Sequence, residues 1–220
     1  MSHTFDSSIV FMLVFTNMKY DEVDNQGRRR YRMGARADAA AETGRRIVGA
    51  VIELHMERYF DQVSLEDIAE RAGVTVQTVL RRFGSKDRLI EAASEEVRGR
   101  VLKQRNEAPV GDVAGAVENL VDHYEEQGES VLRLLAQEDR VPAFRRATDV
   151  GRALHREWVE RTFAPFLEGR EAEARSRLLA ELVAVCDVYV WKVLRKDMGL
   201  SRGQTELALG EMIVALKGDK

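Results

Sequence analysis

The sequence predicts an all-α protein, on three observations. The 220 residues include only three prolines and 7% aromatic side chains, whereas Ala, Leu, Glu and Arg are abundant, a composition that favours helices over sheets. Apolar residues recur at spacings of three and four from about residue 39 onward, as on the buried faces of helices. No segment is a convincing strand. An apolar share of 45% beside 32% charged residues indicates a folded, globular chain.

The composition also excludes several classes of protein. The single cysteine, Cys186, cannot form an internal disulfide framework and fits a reducing compartment, so we expect a cytoplasmic protein and a buried, inert thiol. The sequence has no run of about 18 apolar residues, which excludes a membrane span. The four histidines are scattered, and no phosphate-binding or nucleophile motif occurs. We therefore expect no metal, no cofactor and no enzymatic activity.

Residues 1–37 differ from the rest of the chain, and we predict a disordered tail there. They show no helical periodicity, and their apolar run, Ile9–Phe15, is too short to span a bilayer. The basic run that follows is either a flexible arm or a solvated stretch. It consists of Arg28, Arg29, Arg30, Arg32 and Arg36.

Nine helices are predicted after this tail, each from its apolar spacing and several from their caps. Ser64 with Asp67 resembles a capping box, and Ser201 with Gln204 matches that pattern fully. Gly199 precedes the last helix, as expected where a helix ends in a left-handed residue. The predicted helices are Ala39–Phe60, Leu65–Arg71, Val76–Arg82, one from Ser85 to before Pro109, Val113–Tyr124, Val131–Gln137, Pro142–Phe163, Glu171–Met198 and Arg202–Leu216.

The second and third of these helices meet at a tight turn and form a helix-turn-helix. Gly73 supplies the turn, because glycine adopts a positive φ freely, and Thr75 can cap the following helix. Val79 and Phe83 bury the inner face of that helix. Its outer face can enter a DNA major groove, where Gln pairs with adenine and Arg with guanine. This outer face comprises Val76, Gln77, Thr78, Leu80, Arg81 and Arg82.

The charge of this stretch supports a polyanionic partner. Residues 74–90 hold four basic residues against one acidic residue, a net charge of +3, whereas the whole chain has a net charge of −3. A small basic surface on an otherwise acidic chain suits a protein that contacts nucleic acid with one end. From charge alone, a solvated charged face remains an equal alternative.

The same stretch resembles the TetR family of bacterial repressors. The matching residues are Asp67-Ile68-Ala69, Ala72-Gly73-Val74-Thr75, Thr78, Phe83 and Ser85-Lys86. In this family a Tyr that contacts phosphate usually stands where this chain has Leu80, and Tyr or His where it has Arg82. The family's backbone contacts correspond to Ser64 and Lys86. The resemblance thus implies DNA contacts by Ser64, Thr75, Val76, Gln77, Thr78, Arg81, Arg82 and Lys86.

The resemblance also implies the domain plan. Residues 38–86 would form the helix-turn-helix domain, and residues 87–220 a helical domain for ligand binding and dimerisation. Candidate pocket residues are Tyr124, His155, Trp158 and Tyr189, although ordinary core packing is the favoured explanation for any single one of them. An apolar stripe is the candidate dimer interface, unless it packs inside its own chain. It comprises Leu182, Val185, Cys186, Tyr189, Val193, Ile213 and Leu216.

The function implied is that of a ligand-responsive transcriptional repressor. As in the family, a homodimer would bind a palindromic double-stranded DNA operator and release it when a small-molecule inducer binds. The alternative is a helical DNA-binding structural protein, or an enzyme, without effector control.

Overall fold

The computed structural model describes residue 34 and residues 36–217. Most of the predicted tail therefore lies outside the described residues, and the proposal that it is disordered stays a prediction. Residues 36 and 37, its last two, are already helical. The chain divides into two compact units, 1–46 and 47–220, and the first is described at residue 34 and residues 36–46. Within it, Arg45 pairs with Glu42 at 2.5 Å and the Thr43 hydroxyl donates to the Ala39 carbonyl.

The described residues form ten α-helices and no strand, which confirms the predicted all-α fold. None of these helices combines the length and the apolar character needed to cross a membrane. The helices are α1 (36–57), α2 (Leu65–Ala72), α3 (Val76–Phe83), α4 (Lys86–Asn106), α5 (Val113–Leu135), α6 (Pro142–Thr162), α7 (Ala164–Leu167), α8 (Ala172–Val185), α9 (Val188–Lys192) and α10 (Arg202–Lys217), with a 3-10 turn at Phe60–Gln62 and a π-helical turn at Val193–Asp197.

The predicted caps define the ends of several helices. The Ser64 hydroxyl accepts from the Asp67 amide while the Asp67 carboxylate accepts from the Ser64 amide, a complete capping box for α2. Gly73 ends α2 with φ 63°, in the left-handed region. Thr75 caps α3, and Ser201 with Gln204 caps α10. Local sequence signals therefore sufficed at these boundaries.

The two helices predicted at Val113–Tyr124 and Val131–Gln137 are one continuous helix, α5. The segment between them contains Gly128, which is unfavourable inside a helix. A Cβ atom at Gly128 would lie 2.5 Å from the ring of Trp191. Gly128 is therefore the residue that lets Trp191 pack directly on the α5 backbone, a reason that comes from a residue distant in sequence.

The single helix predicted at Glu171–Met198 is instead broken at Cys186. Asp187 caps α9 through its side chain, which accepts from the Tyr189 amide. The break frees the Cys186 carbonyl, which accepts a hydrogen bond from the Tyr124 hydroxyl at 2.9 Å. A tertiary contact from α5 thus satisfies a backbone group that a continuous helix would have used itself.

Apolar side chains of residues 47–217 form two clusters. The first contains side chains of α1 from Ile47 onward, of α2, α3 and the beginning of α4, and it includes Phe144 from α6. The second lies among α5, α6, α8 and α10. Helix α4 contacts both clusters. Leu89 and Ile90 near its start belong to the first, and its Arg105 carbonyl accepts a hydrogen bond from Trp158 of the second. No helix boundary therefore separates the two clusters. The division of the chain at residue 86 stays a prediction.

Candidate nucleic-acid interface

The helix-turn-helix of α2 and α3 is held by a small apolar contact. Ile68 and Ala69 of α2 and Val79 of α3 are at most 4% exposed. The turn between the helices closes with hydrogen bonds from the Gly73 amide to the Glu70 carbonyl and from the Val74 amide to the Ala69 carbonyl. This packing fixes which face of α3 is turned outward.

The outward face of α3 carries the side chains expected to read DNA bases. Gln77, Arg81 and Arg82 are exposed, and Leu80 is 36% exposed. Gln77 and Arg81 are four residues apart and therefore neighbours on one helix face. That face is available to a major groove.

The remaining predicted contacts at the start of α3 are less exposed or already bonded. Val76 and Thr78 are half-buried. The Thr75 hydroxyl accepts from the Thr78 amide and lies 3.0 Å from the Thr78 hydroxyl. These two hydroxyls shape the N-terminus of α3, and their assignment to DNA stays a prediction.

The arginines of α3 and of the first turn of α4 form no ion pair within the described part of the chain. Among residues 36–217, no carboxylate lies within 4.0 Å of the Arg81, Arg82 or Arg88 guanidinium groups, whereas Arg71 of α2 pairs with Glu53 and Glu57. Free cations beside exposed Gln77 suit a polyanionic, base-bearing partner.

Ser64 and Lys86, predicted as phosphate contacts, both make bonds within the chain. The Ser64 hydroxyl donates to the Asp67 carboxylate at 2.8 Å. Hydrogen bonds from the Ser64 backbone and side chain, together with Arg58, lower the pKa of Asp67 to about 2. The Asp67 carboxylate of this cap therefore stays ionised at any physiological pH.

The Lys86 ammonium is folded onto the turn between α1 and α2. It donates to the Phe60 carbonyl at 3.1 Å and to the Val63 carbonyl, and it lies 4.5 Å from the centre of the Phe60 ring. Desolvation lowers its pKa. Since an ammonium has three donors, one remains for a phosphate. The Ser85-Lys86 pattern at the start of α4 therefore also marks a side chain that bonds α4 to the turn before α2.

The candidate pocket residues differ in burial. Tyr124 and Trp158 are buried, and His155 is half-buried with its Nε2 atom 3.3 Å from the Val183 carbonyl oxygen. Tyr189 is 53% exposed, and its place in a pocket stays a prediction. It is the second residue of α9 and points away from the core because the helix restarts at Asp187.

Three of the candidate dimer residues are internal instead. Leu182, Cys186 and Ile213 are fully buried within the chain's own core, so they cannot form a surface. Val185 and Leu216 are half-buried and pack against that core, while Tyr189 and Val193 are exposed. The apolar spacing identified the most hydrophobic stripe, and that stripe faces inward because the core buries more area than a surface contact does.

Sequence reasoning missed one buried residue, Arg105. It lies at the end of α4 and is 7% exposed. A signal was present, because Arg105 continues the apolar stripe of Ala93, Val97 and Val101 at intervals of four. Its neighbours Lys103 and Gln104 made the segment resemble a solvated end.

In the described part of the chain, no three His, Cys, Asp or Glu side chains are grouped as metal ligands would be.

Comparison with known proteins agrees with this geometry. Residues 47–93 match the family model of bacterial regulatory proteins, tetR family. No curated protein matches the sequence. The matched residues include all of α2 and α3, the outward face of α3 and Lys86.

Solved structures of regulators share the fold over most of the chain. A transcriptional regulator from Rhodococcus sp. Rha1 aligns with 79% of this chain and 95% of its own, with a TM-score of 0.64 and 18% identity. A putative transcriptional regulator from Pseudomonas aeruginosa PAO1 covers 79% and 89%, with a TM-score of 0.61 and 18% identity. A putative TetR-family regulator from Mesorhizobium loti MAFF303099 covers 80% and 96%, with a TM-score of 0.57 and 19% identity.

At these identities the solved structures establish the fold. The match over residues 47–93 identifies the region of the helix-turn-helix as one of the kind found in bacterial regulatory proteins of the tetR family.

Proposed function

We propose that this protein is a transcriptional repressor that binds a near-palindromic operator as a homodimer and releases it when a small ligand binds. The observation that carries the proposal is the outward face of α3, where exposed Gln77 lies beside Arg81 and Arg82, whose guanidinium groups have no carboxylate partner among residues 36–217. Amide and guanidinium groups are the side chains that pair with adenine and guanine edges.

A homodimer follows from the need to bind two half-sites. Helix-turn-helix dimers place their recognition helices about one DNA turn apart, roughly 34–36 Å. We propose the outer faces of α8 and α10, which pack against each other, as the interface. They carry small and apolar residues at helical spacing, namely the exposed Ala180, Ala184, Leu207 and Val214 and the half-buried Gly210. This surface replaces the internal stripe of Leu182, Cys186 and Ile213.

Ligand response is supported by direct hydrogen bonds from the C-terminal end of α5 to the end of α1 and the turn that follows it. Arg133 of α5 donates to the His55 carbonyl at 3.1 Å and to the Met56 carbonyl at 2.6 Å, at the end of α1. The Gln137 side chain accepts from the Asp61 amide at 3.3 Å. A ligand that favours one arrangement of α5 would therefore change the position of the helix-turn-helix.

The test is footprinting of the DNA upstream of the protein's own gene. We expect one protected, near-palindromic site of two half-sites. Protection should be lost in Arg81→Ala and retained in Arg146→Ala, a matched exposed arginine of α6 that pairs with Glu91. Uniform binding without a discrete site would support a structural DNA-binding protein and contradict the proposal.

A further inference from the structure

We propose that the interior of the C-terminal helical core binds a small monocarboxylate with an apolar body, whose carboxylate pairs with Arg105. The regulatory consequence of this binding rests on the proposed function, whereas the binding itself does not. Arg105 is 7% exposed, and among residues 36–217 no carboxylate lies within 4.0 Å of its guanidinium. Its Nη1 atom is buried without a hydrogen-bond partner.

Two aromatic rings and the Tyr124 hydroxyl lie against this cation, but its Nη1 donor has no partner. The guanidinium carbon lies 4.5 Å from the centre of the Trp158 ring and 5.4 Å from that of Tyr124. Cation–π contacts attract the charge, yet they leave the Nη1 donor unpaired. A buried charge without a counter-ion is strongly unfavourable, so an anion that reaches it gains an unusually strong interaction.

The titratable neighbours do not provide that anion. Burial raises the pKa of the Tyr124 hydroxyl and raises that of the Cys186 thiol to about 12. Burial, with Arg105 nearby, lowers the pKa of His123 to about 3 and also lowers the pKa of His155. All four groups are therefore neutral near pH 7. Burial lowers the pKa of Arg105 as well, but a guanidinium starts from so high a pKa that it stays protonated near pH 7.

The surroundings define the class of ligand. A guanidinium fork pairs with a carboxylate through two parallel hydrogen bonds. One cation balances one negative charge, which favours a monocarboxylate over a doubly charged phosphate. The Thr162 hydroxyl, one turn after Trp158 on α6, is fully buried and also lacks a partner. The side chains that interact with Arg105 are uncharged and mostly aromatic, namely Tyr124, His123, His155, Trp158 and Cys186, so we infer a largely apolar body for the ligand.

Thermal denaturation and calorimetric titration of the full chain test this proposal, without DNA and in buffer free of carboxylates. The probes are benzoate and octanoate, each compared with its neutral amide. We expect the acids to bind and raise the melting temperature, by about 5–10 °C at roughly 100-fold excess over Kd. The amides should have no effect. Equal shifts for acid and amide, or no shift with either acid, would overturn the proposal.

Two variants assign the effect to Arg105. Arg105→Met keeps much of the side-chain volume and should abolish the acid-dependent shift. Arg100→Met removes an exposed arginine of the same helix, paired with Glu96, and should keep the full shift. Without probes, Arg105→Met should melt no lower than the original chain, because it removes an unpaired buried charge. A large fall in its melting temperature would instead show that the rings already stabilise the cation, and would contradict the proposal.

Operator binding is measured separately, which distinguishes the two proposals. If the acids bind through Arg105 but leave the footprint unchanged, the ligand site stands and the ligand-responsive part of the proposed function falls. If a discrete operator is protected but no acid binds, the regulator stands and the carboxylate site falls.

Discussion

Lys86 illustrates, at the scale of one residue, how a position can serve both the fold and a ligand. Its ammonium holds the carbonyls of Phe60 and Val63, which end the segment before α2. The orientation of the helix-turn-helix relative to α4 therefore depends on this side chain as well as on apolar packing.

We expect Lys86→Met to lower the free energy of unfolding by about 1–3 kcal/mol, because it leaves partly buried carbonyls without a donor. Binding to operator and to scrambled DNA should weaken by the same factor. Arg88→Met, at an exposed position in the same turn, is the control for lost charge. Unchanged urea unfolding in Lys86→Met would show that the two hydrogen bonds are not needed.

Gln77 has the opposite character, because its side chain is exposed and nothing in α3 requires it. Gln77→Ala should keep the stability of the chain and relax the preference at one operator position, by about 1–3 kcal/mol per half-site. Competition titrations with single-base operator variants measure this. A uniform loss of affinity over all sequences would place Gln77 on the phosphate backbone instead.

At the scale of the helices, glycines and caps determine where each element begins, ends or continues. Gly128 lies in the middle of α5 beside the Trp191 ring. Gly151 lies on the exposed face of α6, where a Cβ atom added to it would have only open space within 4 Å, apart from the backbone of its own helix. The same substitution at these two positions should have opposite effects.

Gly128→Ala should destabilise the protein by about 1–3 kcal/mol, because its Cβ overpacks against Trp191. Gly151→Ala should stabilise it by about 0.5–1 kcal/mol, through better helix propensity. Chemical denaturation of both variants provides the comparison. Equal stabilisation would mean that α5 and Trp191 do not pack as described.

The α2 capping box predicts a specific dependence of stability on pH. The pKa of Asp67 is lowered from 3.8 to about 2 in the folded chain. A lowered carboxyl pKa contributes stability above pH 3.8, and this contribution is lost as the pH falls through about 2. Ser64→Ala removes the second cause of the shift, the hydrogen bond from the Ser64 hydroxyl, and keeps the first, the hydrogen bond from the Ser64 backbone amide.

We therefore expect the difference in melting temperature between the original chain and Ser64→Ala to narrow as the pH falls from 3.8 towards 2. Ser85→Ala is the matched control, because Ser85 caps α4 through the Arg88 amide, with no carboxylate in the cap. The melting temperature of Ser85→Ala should lie below that of the original chain by the same amount throughout this pH range. A constant deficit in Ser64→Ala as well would contradict a role for the Asp67 charge.

For the whole molecule, the state of association decides whether two recognition helices are presented together. Leu207 is 63% and Val214 is 56% exposed on α10, an arrangement that a second copy of the chain would cover. Val150 of α6 is 46% exposed but lies outside the proposed interface.

Leu207→Glu with Val214→Glu should convert a dimer into a monomer near the 24.9 kDa chain mass, because charges in an interface core are strongly unfavourable. Light scattering at micromolar concentration measures the mass. Val150→Glu should remain dimeric and bind the operator normally. A dimer that survives both substitutions on α10 would exclude this interface.

The sequence by itself determined the all-α class, the helix-turn-helix and the ends of its helices. These features depend on local chemistry: the spacing of apolar residues, the reciprocal bonds of Ser64 with Asp67, and the positive φ at Gly73. Each can be deduced from residues within one or two turns of each other. The outward face of α3 follows from the same information, since burying Val79 leaves Gln77 and Arg81 exposed.

Only the tertiary structure decided the arrangement of the C-terminal helices. Helix α5 contains Gly128 at a position where the ring of Trp191, a residue distant in sequence, occupies the space that a Cβ atom would need. Cys186 ends α8 where the Tyr124 hydroxyl can bind its carbonyl, and Arg105 is buried because two rings from other helices cover it. Periodicity reveals that a stripe is apolar, but it does not tell which neighbour covers the stripe. For the same reason, Leu182 and Ile213 are core residues and Leu207 and Val214 lie on the surface.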